Sequence, residues 1–502
     1  MSALEEFKAL VAELQDLSST ASVLGWDQQT QMPPGGSLTR ANQLSTLSRI
    51  IHQKNTSTRM GALLDELEPQ FKDQDSLDGV LVRYVRRDVE RKRKLPTEFV
   101  AEYTKARAIS GKVWEEARAK NDFKSFQPHL EKMFEYALRI AEYQGYDEHP
   151  YDALLYDFDP GLKTSDLKTV FAQLRQDTVP LVQAIAQRVT ERGDLADYSI
   201  LERDYDEAKQ REFSTEVAKA FGYDFSRGRL DIAPHPFATN FSRDDVRMTT
   251  RYDRHYLPMA MFGTFHETGH ALYEQGTGPE LAHTPLARGA WSTVHESQSR
   301  LWENLVGRSR AFWAHWFPRL QAIFPQQLEG LNAESFYRLV NRVRPSPIRV
   351  EADEITYNLH IMLRFEIELG MIEGKLKASQ LSEVWNAKMQ EYLGITPSND
   401  AQGVMQDVHW SEGLIGYFPT YSLGNILSVQ LLEAARKNLG ELEGQWAKGE
   451  YAPLLGWLRE HIHQYGKRDL PPVLIERVTG SPLSAKPYVA YLTRKFSELY
   501  SL

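Results

Sequence analysis

The chain has 502 residues, enough to bury a large core, with 42% hydrophobic and 25% charged content, as in an ordinary globular protein. A formal net charge of −9 argues against nucleic acid or an anionic membrane as the main partner. There is no cysteine, so no disulfide framework is expected and any metal must be held by histidine and carboxylate; no apolar run approaches a membrane span.

The opening stretch, MSALEEFKALVAELQDL, reads as an acidic amphipathic helix without the basic start and apolar block of a signal peptide, so a cytoplasmic location is expected. Apolar residues recur at helical spacing from 3 to 25, until WDQQTQMPPGG breaks the pattern with Pro33, Pro34, Gly35 and Gly36. Residues 39–54 and 59–92 read as helices, and RYVRRDVERKRK (83–94) as a solvated charged face. KLPTEF starts another helix after its proline, and 126–144 and 164–191 continue in the same style. No internal repeat, low-complexity segment or flexible linker divides the chain. Residues 1–502 read as one mainly α-helical domain, arranged as two lobes around a cleft.

The helical pattern fails from about 228 to 256. Pro234 and Pro236 forbid helix there, and DDVRMTTRY alternates like a strand, with Asp245, Arg247 and Thr249 on one face. A small antiparallel sheet is predicted. It serves either as a structural hairpin or as an edge on which an extended substrate could pair.

Directly after it comes GTFHETGHALYEQG (263–276). Residues four apart on a helix lie one above the other, so His266 and His270 can hold one ion between them, with Glu267 placed to reach a water beside it. With 14 histidines in 502 residues, H-E-x-x-H is expected by chance roughly 0.05 times. A catalytic zinc takes three protein ligands. The third is expected from LARGAWSTVHESQSRLWENLVGRSRAF (286–312), where Ala290, Val294, Leu301 and Leu305 mark a buried stripe and His295 and Glu296 fall mid-stripe. Glu296 is the choice, with His295 as a neighbour; His295 as ligand is the alternative. This set suits Zn²⁺, one per chain, and Co²⁺ fits the same donors.

HETGHALYEQG followed by HESQSRLWEN resembles the M32 family of metallocarboxypeptidases, the Thermus-type thermostable carboxypeptidases. HPF (235–237), DVRMT (245–249), IRVEADE (348–354), GVMQDVHW (403–410), GYFPTYSLGN (416–425) and the early WDQQTQMP match in order, so the resemblance spans almost the whole chain. It implies a helical zincin fold with a deep central cleft, a homodimer, and removal of single C-terminal residues from peptides, with Glu267 as general base. By similarity to the His-then-Tyr segments of the thimet oligopeptidase and angiotensin-converting enzyme families, His409 and Tyr421 stabilise the oxyanion, with Tyr417 beside them. The competing expectation is a packed loop. Arg349 is the candidate for the substrate carboxylate, against local pairing with Glu351 or Asp353. Arg247 is the second candidate, and His235, Asp245 and Gln406 are placed around the cleft. The alternatives are an endo-oligopeptidase or dipeptidyl carboxypeptidase with the same zinc chemistry, and a non-catalytic helical scaffold with a vestigial metal site.

Overall fold

A computed structural model describes residues 2–71, 74–193 and 197–502. Helix α1 (Ala3–Thr30) starts on a capping box in which Ser2 and Glu5 satisfy each other's backbone N–H groups. It runs past the predicted stop near residue 25, because loss of amphipathicity does not end a helix while every N–H still has a partner. Pro33 and Pro34 do end it. The region predicted as one helix over 59–92 is two, α3 (Thr58–Phe71) and α4 (Leu77–Lys94), following α2 (Ser37–Asn55). Ser76 caps α4 by accepting from Gly79 N; residues 72 and 73 of that expectation lie outside the described residues.

The predicted helices beyond Pro96 are α5 (Thr97–Lys120), α6 (Phe123–Gln144), the short α7 (Pro150–Leu155) and α8 (Thr164–Arg192), followed by α9 (Glu207–Phe221). Then come β1 (Leu230–Ile232), β2 (Ala238–Ser242) and β3 (Asp245–Thr250). The sheet is mixed rather than antiparallel: β3 lies in the centre, antiparallel to β2 and parallel to β1. Pro234 and Pro236 have no N–H to offer a β1–β2 pairing, and the flanking Ala233 N and Phe237 N donate instead to Thr250 O and Thr249 Oγ1 of β3. The alternating strand β3 is therefore interior, and only β1 and β2 present edges. The β2 edge meets α1, whose Ser19 hydroxyl donates to Phe241 O at 2.8 Å.

Two helices frame the candidate site, α10 (Leu257–Gln275) and α11 (Ser292–Arg300), and α11 runs into a π-helical turn over Leu301–Val306. The elements that follow include α12 (Arg310–Ile323), α13 (Ala333–Val340), α14 (Tyr357–Ile372), α15 (Leu381–Leu393) and α16 (Pro419–Leu439), and the chain closes on a helix over Ala485–Tyr500. Apolar side chains form two clusters. The larger runs from Phe99 to Tyr500 and encloses α10, α11 and α16; the smaller is built from α1, α3 and α4 with Leu281 and Leu286. Among the described residues, no helix is long and apolar enough to cross a membrane.

Candidate metal centre and active site

Pro258 opens α10, a position where its missing N–H costs nothing, and all but a few residues of the helix are buried. One face is pinned to the sheet, with Thr264 Oγ1 donating to Thr250 Oγ1 at 3.1 Å. The other face turns His266 and His270 toward α11. The two helices touch backbone to backbone at Gly269, where a Cβ would lie 2.6 Å from Gln298 O. On the far side of α11, Gly424 of α16 leaves room for Glu296: a Cβ there would lie 2.5 Å from Glu296 Cγ. Buried Asp159 caps α11 by accepting from Thr293 N (2.9 Å) and Oγ1 (2.7 Å).

This packing brings donor atoms of His266, His270 and Glu296 within 4.8 Å of one another. Glu296 Oε2 lies 3.7 Å from His266 Nε2 and 3.4 Å from His270 Nε2. Ligands about 2.1 Å from a tetrahedral zinc sit roughly 3.4 Å apart, so the set fits such an ion. The Nδ1 atoms are already engaged. His266 Nδ1 meets Glu303 Oε2 at 2.9 Å, and His270 Nδ1 meets His295 Nδ1 at 2.6 Å, whose Nε2 in turn meets Glu274 Oε1 at 2.7 Å. Each ring is thereby fixed with Nε2 free toward the cluster. His295 stands behind His270, as the neighbour expected of it.

Glu303 and Arg300 were not singled out from sequence. Arg300 Nε donates to Glu296 Oε1 at 2.7 Å, and Nη1 to Glu303 Oε2 at 3.3 Å, tying both carboxylates together. Burial pushes the Glu296 carboxyl up, but Arg300 and the two histidines outweigh it and hold it well below the ordinary range. Glu303 behaves likewise and is held at about 2, chiefly by Arg300. Burial lowers His270 to about 4, so its imidazole is neutral, as a ligand must be. Glu267, 6% exposed, is pushed up to about 7 by burial.

The second group lies on the short turn Arg349–Glu351, on α14 and on the 400–421 segment. His409 Nε2 is 3.3 Å from the Tyr421 hydroxyl, and its ring stacks on Tyr417, which packs edge-on against Tyr421. Burial, reinforced by Arg349 and Arg364 against the pull of Asp407, lowers His409 to about 3 and keeps it neutral. Arg349 is buried and paired neither with Glu351 nor with Asp353. It binds Asp407 Oδ1 through Nε (3.1 Å) and Nη2 (2.8 Å), and Nη1 donates to the Tyr357 hydroxyl at 2.9 Å. Asp353 is spent on the backbone N–H groups of Arg344, Ile355 and Thr356. Arg364, on the other side of Asp407, donates from Nε to Oδ2 at 2.7 Å, so two guanidiniums share one carboxylate. Arg300 packs over the Tyr357 ring at 4.5 Å, which links this group to the metal cluster.

Gln406 is a backbone brace: its Oε1 accepts from Arg349 N, and its Nε2 donates to Pro347 O and Gln402 O. Asp245 and Arg247 do share a face, where they form a two-bond ion pair at 2.8 Å and the guanidinium stacks on Trp26 and Phe241. That face points away from α10, which packs on the Val246, Met248 and Thr250 side. His235 is exposed between β1 and β2.

A helical scaffold presenting two histidines and a glutamate around one ion site, with a buried glutamate beside them, defines a metallopeptidase of the H-E-x-x-H class. The Carboxypeptidase Taq (M32) metallopeptidase family matches residues 6–496. Thermostable carboxypeptidase 1 of Thermus thermophilus is 42% identical over 496 residues, covering 96% of each chain. Carboxypeptidase 1 of Bacillus subtilis is 40% identical over 498 residues, covering 99% of each. The M32 carboxypeptidase structure from Deinococcus radiodurans superposes with a TM-score of 0.95 at 40% identity, covering 100% of both chains. The chain belongs to the M32 family of metallopeptidases and is a metal-dependent carboxypeptidase.

Proposed function

We propose that the chain removes single amino acids from peptides that end in a free carboxylate, using one zinc-type ion held by His266, His270 and Glu296, and Glu267 as general base. The observation that carries this reading is the three-donor cluster whose outer ring nitrogens are already held by Glu303 and His295. When bound, the ion supplies Lewis acidity and lowers the pKa of water in the site.

Glu267 takes the proton of the attacking water and passes it to the leaving amine; its raised affinity for a proton suits both halves of that task. Neutral His409 and the Tyr421 hydroxyl donate to the developing oxyanion, a contribution of roughly 3 kcal/mol where such a donor is preorganised. Tyr417 fixes the His409 ring. The terminal carboxylate is drawn to Arg349. Two guanidiniums against one Asp407 leave a net positive charge there, whereas the Arg247 charge is matched by Asp245. Gln406 keeps the Arg349 turn in place, whereas the Asp245–Arg247 pair, on the sheet face turned from α10, and the exposed His235 take no part in the chemical step.

Metal analysis of the purified protein tests the ligand set. About one divalent ion per chain is expected, lost together with activity in His266→Ala, His270→Ala and Glu296→Ala. Full metal in Glu296→Ala with loss in His295→Ala would show that the third ligand is misassigned.

A further inference from the structure

A cavity of about 330 Å³ lies between α1, α2, α4 and the loop that leads from α10 into α11. Its wall carries Gln15, Asn55, Asp88, Lys92, Arg288 and Lys467. Asp88 is the sole carboxylate among them, and it is spent: Lys92 Nζ lies 2.7 Å away, and Asn55 Nδ2 donates at 3.2 Å. Arg288 and Lys467 have no ion-pair partner among the described residues. Lys467 sits over the Trp291 ring at 5.1 Å, and Arg87 of α4 packs against the same ring at 5.0 Å, adding a third cation. From α10, Glu274 acts on Arg288 and Lys467 at longer range, but its carboxylate is already engaged by His295, Gly289 N and Asn240. Burial, reinforced by Arg288 and Arg87 against the pull of Glu274 and Asp88, lowers the Lys467 ammonium below its ordinary value.

Half-buried cations clustered without ion-pair partners create a positive potential that an anion would complete. We propose that this cavity, separate from the metal centre, binds a small oxyanion between Arg288 and Lys467 and so fastens the N-terminal helices to the rest of the molecule. Arg288 offers a planar fork and Lys467 a point charge, the pair of donors that phosphate and carboxylate groups take. The oxyanion is either free in solution or carried on an acidic side chain of a bound peptide. The loop involved also reaches the metal site, because Gly289 N holds Glu274, Glu274 holds His295, and His295 holds His270.

Calorimetric titration of the metal-loaded protein with inorganic phosphate, in chloride-free buffer, tests the site. One ion per chain and a raised Tm are expected. Arg288→Gln and Lys467→Met should each weaken binding about tenfold or more, while Arg118→Gln, elsewhere on the surface, should not. If Lys467→Met does not fold, Lys467→Arg should keep binding and Arg288→Gln should still lose it. If phosphate does not bind, peptides with Glu in place of Gln upstream of the scissile bond should show a lower KM in the wild type, with the advantage lost in Arg288→Gln. That result would identify the substrate as the source of the oxyanion. Phosphate binding equal in all variants, or neither phosphate binding nor a Glu preference, overturns the proposal.

Discussion

Each histidine of the proposed metal site spends Nδ1 on a neighbour and leaves Nε2 facing the cluster, and in such sites the neighbours are as specific as the ligands. Removing such a partner typically costs 10- to 100-fold in metal affinity. Glu303→Gln should therefore bind zinc about that much more weakly in competition with a chelator, yet still bind it; unchanged affinity would mean that Glu303 does not orient His266. Glu267→Gln should retain full metal and lose several orders of magnitude in kcat, since an amide keeps the shape without accepting a proton. Near-normal turnover would remove Glu267 as base. Helical spacing exposed His266, Glu267 and His270 because those relations are local, whereas Glu296 was chosen over its neighbour His295 as the glutamate that a second helix commonly supplies. Arg300 and Glu303 were legible by the same logic, at i+4 and i+7 from Glu296 on one helix face. Asp407, Glu274 and Arg364 were not, because their partners lie in segments distant along the chain, and no period in a sequence encodes such a pairing.

At the scale of elements, the site depends on how closely α10, α11 and α16 approach. Gly424→Ala would drive a methyl into the Glu296 side chain, so a loss of about 1–3 kcal/mol in stability together with reduced metal content is expected. Normal Tm and metal content would show that the helices can move apart. Asp159 adds a pH dependence. Burial raises its carboxyl from 3.8 to about 7, against the pull of the Thr293 hydrogen bonds. Its contribution to stability is full below pH 4 and is lost as pH rises toward 7, because the folded state holds the proton more tightly. Urea titrations of chelated protein across that window should show a shallower decline in Asp159→Asn than in the wild type; equal slopes contradict the assignment. Most helices were legible from apolar periodicity, and the misreadings have physical causes. The apolar spacing of the 286–312 segment marks its buried stripe but does not reveal that the chain opens into a π-turn after Arg300. The sheet was predicted as antiparallel because alternation reveals a strand's faces and not the direction of its neighbours.

For the whole molecule, composition and charge argue against nucleic acid and anionic membrane as main partners without identifying the substrate. That identification rests on family membership and on charge placed at one end of the site. The homodimer that the M32 resemblance implies predicts twice the chain mass by light scattering. A single-chain mass at micromolar concentration would count against it. The central claim is that a terminal carboxylate is recognised beside a metal-assisted hydrolytic site, and time-resolved mass spectrometry of one peptide as free acid and as C-terminal amide tests it most directly. Losing that charge-assisted contact costs on the order of 2–4 kcal/mol, or roughly 30- to 1000-fold in kcat/KM. The acid should lose single residues in order from its C-terminus, the amide should be cut slower by that factor, and Arg349→Ala should erase most of the difference. Equal cleavage of acid and amide, or internal fragments from either, would contradict the account.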